Sequence, residues 1–241
     1  MSKWQAFGIH LAISVVVLTA LMALIFLLWY PGILLNVDGG WTGLRIVIGV
    51  DLVLGPLLTL VVYKSGKPGL RFDLTCIVVF QAICMAGGMF IVHAERPLAL
   101  VLAYDTIFSL SATEFEDYGK DVGVLNGIPG NYPKLVYTEL PEDSVQADIV
   151  AIRGQFIGDP LFIQTERYRP LPEAGTELVF VQEETVRASV SEGFKTSLSD
   201  GCLLARFVSS VKSGFVCFDA EAMRLDSFYE HEAQVDYGWC G

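Results

Sequence analysis

The chain is poor in the residues that make most active sites. It has three histidines in 241 residues, and His10, His93 and His231 form no H-x-x-x-H or Cys/His pattern. That spacing is what a zinc site needs, so a metal centre is not expected. There is no G-x-S-x-G nucleophile elbow, and "KSGKPG" lacks the G-x-x-x-x-G-K-[ST] spacing of a phosphate loop. Neither a catalytic set nor a cofactor site is expected. Asn36, Asn126 and Asn131 fall in no N-x-[ST] site. Basic residues are also scarce, 16 Lys and Arg against 27 Asp and Glu. An acidic chain is repelled by phosphate, which argues against a nucleic-acid partner.

Apolar residues are what the chain has in excess, 53% of the total with a mean hydropathy of +0.50. They crowd into the first part. Ala6–Tyr30, Leu44–Tyr63 and Leu74–Val92 are three runs near the roughly 20 residues that a helix needs to cross a bilayer core. Trp4, Trp29 and Tyr30 stand at the ends of the first, where interfacial aromatics belong, and Pro31-Gly32 stops it. The first run is longer than a signal peptide's apolar region and ends in bulky "FLLWYPGIL" instead of a small-x-small site, so it is expected to stay as an anchor.

The chain therefore divides into a transmembrane module, 1–94, and an α+β domain, 95–241. The second part carries 11 basic and 24 acidic residues, an acidic surface suited to solubility. Lys3 precedes the first run, and Lys64, Lys67 and Arg71 lie in the loop after the second, whereas "PGILLNVDGGWTG" between them has no Lys or Arg. The positive-inside rule then puts the N-terminus in the cytoplasm and the domain from about Glu95 onward outside it.

In that domain Leu98–Tyr104 predicts a strand leaving the membrane. "SATEFEDYG" predicts a short helix with a Ser111/Glu114 capping box and a stop at Gly119. The carboxylates Glu114, Glu116 and Asp117 fit a solvated helix face. Pro141–Phe156 and most of "ELVFVQEETVRASV" predict helix, and "GVLNGIPGNYPK" a loop. "RYRPLPEAG" predicts an extended linker on which Arg167 and Arg169 point the same way, either as ordinary surface charges or as a docking point for a carboxylate. "ARFVSSVKSGFVCFD" predicts a hairpin turning at Val211–Gly214. Cys76 and Cys84 fall in the third run as expected buried thiols. Cys202, Cys217 and Cys240 lie where disulfides form. In the predicted hairpin register Cys217 faces Val208, too far from Cys202 to bond, which favours a Cys202–Cys240 pair.

One residue breaks the pattern of the spans. Asp51 lies inside "IVIGVDLVLGPLLTLVVY". A charge there costs roughly 2.5–3.5 kcal/mol on insertion scales. Arg45 is six residues away on another helical face. Either Asp51 bonds between the helices of its own module or stays a protonated acid, or it faces an incoming helix or a relay. Gly55 and Pro56 follow it, and Ala82-x-x-x-Ala86 and Cys84-x-x-x-Gly88 in the third run are small-residue patterns. They either pack the three helices together or leave a groove for a fourth.

The stretches "KWQAFGIHLAIS", "WYPG", "DGGW" and above all "GVDLVLGPLLTL…KPGLRFDL" resemble bacterial type IV pilin accessory proteins, the pilin assembly chaperones. "RYRPLP" is similar to the family too. The likeness covers about the first two-fifths of the chain. It implies a non-enzymatic protein of the bacterial inner membrane with a periplasmic domain, which assists assembly of a major type IV pilin. Other inner-membrane pilus components are implied as further partners. Asp51, Gly55, Pro56, Ala82 and Ala86 then become candidate contacts with a pilin helix or between the module's own helices. Arg167 and Arg169 remain candidate docking residues. A membrane enzyme modifying pilin, a sensor and a structural subunit of the machinery are the competing classes.

Overall fold

The computed structural model describes residues 2–141, 143–171, 180, 183–190, 192–195, 198 and 201–230. The chain forms two compact units, Met1–Arg96 and Pro97–Gly241. In the first, three helices are long and apolar enough to cross a membrane: Lys3–Trp29, Gly43–Val62 and Leu70–Ala94.

The first span opens with α1, Lys3–Leu24, whose N-terminus is closed by a capping box between Ser2 and Gln5. It ends in a π-helical turn, Ile25–Trp29. A short helix α2, Leu34–Val37, folds its Leu34, Leu35 and Val37 inward. The second span is α3, Gly40–Ile48, then a π-helical segment, Gly49–Leu54, then α4, Gly55–Val62. The third is α5, Leu70–Ala94. The second span is central, with α1 packed on α4 and α5 packed on both α3 and α4.

Spans two and three approach through missing side chains. A β-carbon on Gly43 would meet Val92 at 2.3 Å, and one on Gly88 would meet Val47 at 2.9 Å. This is the close small-residue packing that helices use in a membrane, where no hydrophobic force draws them together. The C-terminal ends of the first and third spans are tied as well. Tyr30 donates its hydroxyl to the Val92 carbonyl at 3.1 Å, and Trp29 meets the His93 ring edge-on at 4.9 Å. The expected burial of the thiols is corrected: Cys76 is exposed on the outside of the bundle and Cys84 is only half-buried. Position 76 falls on the face of α5 that turns away from the central span.

The second unit is a mixed seven-stranded sheet with helices, an α+β domain. Its strands are β1 (Pro97–Ala103), β2 (Thr106–Ser111), β3 (Lys134–Thr138), β4 (Tyr168–Pro170), β5 (Cys202–Val208), β6 (Ser213–Asp219) and β7 (Arg224–Glu230), in the order β4-β3-β1-β2-β5-β6-β7. β1 is central and buried along its whole length, as the unbroken apolar run "PLALVLA" requires. One core gathers Val101, Leu110, Phe115, Leu125 and Ile163. The helix at Ala112–Asp117, α6, carries the Ser111/Glu114 capping box, and Gly119 ends it at φ 65°. Glu114 is thus a capping residue: it accepts from the Ser111 amide at 2.7 Å. Helix α7, Ser144–Ile152, continues as a π-helical turn, Arg153–Ile157. Two further short helices are α8, Glu183–Ala188, and α9, Glu192–Lys195.

Two expectations are corrected here. "RYRPLPEAG" is not a bare linker, because Tyr168–Pro170 pairs with β3 as a sheet-edge strand, a position where proline is tolerated. The β5–β6 hairpin turns two residues earlier than the expected Val211–Gly214, which shifts the strand register by four. Ser209 and Lys212 close the loop, with the Ser209 hydroxyl accepting from the Lys212 amide at 3.0 Å. Cys202 then pairs with Asp219 and Leu204 with Cys217. That register puts Cys202 and Cys217 on one face with Cα atoms 5.2 Å apart, and they are disulfide-bonded. The expected Cys202–Cys240 pair is therefore replaced by Cys202–Cys217; Cys240 lies outside the described residues.

Candidate functional site

The polar residues of the three spans converge. Asp51 is only 6% exposed and sits in the π-helical segment of the second span. Ser14 of the first span donates to its Oδ1 at 3.3 Å. Gln81 of the third donates to the same oxygen at 3.1 Å and to the Asp51 carbonyl at 3.4 Å. One carboxylate therefore joins all three helices. Further along the same face, His10 Nδ1 and Thr59 Oγ1 form a 2.6 Å hydrogen bond between the first and second spans. Ser14 and His10 are one turn apart, and Asp51, Gly55 and Thr59 fall at four-residue steps, so both rows share a seam.

The local sequence explains the geometry. In the π segment the Gly55 amide bonds the Val50 carbonyl, five residues back. The next bond of that pattern would run from residue 56 to the Asp51 carbonyl, but Pro56 has no N–H. Gln81 supplies the missing donor from the neighbouring helix. Gly55 makes this possible, since a β-carbon there would lie 1.9 Å from Gln81 Nε2. Single π turns inside helices often mark functional positions.

Asp51 Oδ2 is buried and receives no hydrogen bond. Both donors to the carboxyl are neutral side chains. A group held this way stitches helices together, and each such bond in a membrane contributes roughly 0.6 kcal/mol, up to about 1.7.

The other expected site residues divide. Gly55 and Pro56 are buried in the seam. Ala82 and Ala86 are exposed on the outer side of α5, whereas Gly88 packs inward against Val47. The first pattern thus leaves a smooth outward face and only the second closes the bundle. Arg167 and Arg169 both engage Glu139. Arg167 reaches its carbonyl at 3.4 Å and Gln164 Oε1 at 3.1 Å, and Arg169 pairs with its carboxylate at 2.6 Å. Arg167 lies in a 3₁₀ turn ahead of the strand. These contacts brace β4. Ser14 and Gln81, the residues that hold Asp51, were not singled out by sequence; the signal was their being isolated polar residues in long apolar runs. Among the described residues no group of three His, Cys, Asp or Glu side chains is placed to hold a metal ion.

Three helices able to cross a membrane, joined at one buried carboxylate and followed by an α+β domain, define a membrane protein with an interhelical polar latch. The family model for fimbrial assembly protein FimB matches residues 1–32. Over 106 residues, 43% of the chain, it is 34% identical to the fimbrial assembly protein of serogroup E1 and 32% identical to that of serogroups C1 and C2, both from Dichelobacter nodosus. The matched segment covers 41% of the first relative and 81% of the second. The serogroup I protein of the same organism matches at 32% identity, again over 41% of its length. No solved structure matches. The chain belongs to the fimbrial assembly protein family.

Proposed function

We propose that the protein is a non-enzymatic accessory factor of a bacterial inner membrane, a chaperone that assists assembly of a cognate type IV pilin. The observation that carries this reading is the latch. Ser14, Asp51 and Gln81 fix three spans into one platform. Membership of a family of fimbrial assembly proteins supplies the process. The Lys64, Lys67 and Arg71 loop favours a cytoplasmic N-terminus and a periplasmic outer domain.

In this role the platform presents a surface to the apolar helix of a pilin waiting in the membrane. Ala82 and Ala86, exposed one turn apart, allow a helix to approach closely. Asp51 acts from behind that surface, holding α5 in register through Gln81. The test is pilin co-purification with the Asp51→Asn protein. Asn preserves shape but turns an N–H₂ toward the site where Oδ2 now finds no donor. The variant is expected to accumulate in membranes yet to capture less pilin; unchanged capture sinks the role given to Asp51.

A further inference from the structure

Among its described residues the second unit presents an exposed apolar surface. In α7 and its π-helical extension, Val145, Ile149, Ile152 and Phe156 follow at steps of four, three and four residues, which puts them on one face. They are 61%, 44%, 51% and 79% exposed, and Ile157 beside them is 70% exposed. The segment is held from the other side. Val150 packs with Ala103 and Leu161, next to Phe108 and Phe162. Arg153 pairs with Asp159 and Glu166. The apolar face is thus presented outward on a fixed element.

The charges around it select the occupant. Asp148 is exposed on α7, Asp143 caps its N-terminus, and residues 95–241 as a whole carry 24 acidic side chains against 11 basic. The one basic residue of the segment, Arg153, is already taken up by two carboxylates. A helix built to lie on lipid carries Lys and Arg on its polar face, and this one does not. A second copy would set one acidic domain against another, which is repulsive. We propose that the Val145–Phe156 face docks a protein segment that presents apolar side chains flanked by Lys or Arg. This surface is independent of the role given to Asp51.

The test uses the full chain in phosphatidylcholine nanodiscs and two synthetic amphipathic helices as probes. Both have the same leucine stripe, one flanked by lysine and the other by glutamate, with empty nanodiscs as the blank. The lysine probe is expected to bind more tightly than the glutamate probe, and less so as salt rises. Phe156→Ser and Ile152→Ser should each weaken it by roughly tenfold, the loss seen at interface hot spots. Both side chains are exposed, so neither change threatens folding; sedimentation confirms an unaltered particle. Equal binding of the two probes, or binding indifferent to Phe156→Ser, overturns the proposal. So does wild-type self-association that Phe156→Ser abolishes, which would make the occupant a second copy. Hydrogen-exchange protection of α7 by the nanodisc lipid alone would make it the bilayer and equally overturn it.

Discussion

Gln81 occupies the space that a side chain on Gly55 would fill, and from there it bonds both the carboxylate and the carbonyl of Asp51. The residue that is missing and the residue that reaches in are parts of one device. Replacing Gly55 by Ala forces Gln81 out, and overpacking of this kind costs about 1–3 kcal/mol. Gly55→Ala should lower the stability of the bundle in detergent. Gly55→Ala combined with Gln81→Ala should be less destabilised than the two single effects added together. Strict additivity in that cycle would show that the residues do not share the contact.

Ser14 and Gln81 are equivalent in kind, since each donates one side-chain bond to Asp51 Oδ1. Ser14→Ala and Gln81→Leu should each reduce resistance to denaturing detergent by roughly 0.6 to 1.7 kcal/mol. Asp51→Leu should remove the dependence on both. A full effect of Ser14→Ala in the Asp51→Leu background would contradict the latch.

In the second unit Asp159 forms ion pairs with both Lys120 and Arg153. Burial by itself raises its carboxyl, but the two cations outweigh burial and hold it below the usual carboxylate range. Burial raises the Glu166 carboxyl too, but a hydrogen bond from its own backbone amide and then Arg153 hold it below its usual range. Folded values below unfolded ones mean that this stabilisation is present above about pH 4, the unfolded carboxyl range, and is lost as pH falls through the depressed folded values. Asp159→Asn should therefore lower thermal stability at neutral pH by about 1–2 kcal/mol. It should also flatten the acid limb of the stability curve. An acid limb unchanged in the variant would assign the titration elsewhere.

Peptide mapping of the oxidised protein should find Cys202 linked to Cys217, the pair that the β5–β6 register brings together. Alkylation under denaturing, non-reducing conditions should label Cys76 and Cys84. A Cys202–Cys240 peptide would restore the pairing that the sequence favours and displace this register.

The spans are legible in the sequence because the bilayer imposes length and apolarity on every residue of a run. The cost of Asp51 is legible for the same reason. Its partners are not, because one serine and one glutamine in apolar helices look alike whether they face lipid or a neighbour. The hairpin shows a different limit. Gly214 reads as a turn residue, yet it lies inside β6, where a β-carbon would meet the Tyr229 carbonyl at 2.4 Å. Its small size serves the pairing with β7, a strand that local pattern does not reveal. β3 and β4 are hidden likewise, since short strands take their identity from the neighbours they pair with.

The most direct test of the proposed role is a deletion strain, in which surface pili are measured against total cellular pilin and pilin mass is read from the same samples. The account predicts loss of surface pili with pilin present at unchanged mass, restored by the wild-type chain. Normal piliation would contradict a part in assembly, and an altered pilin mass would replace the chaperone with an enzyme.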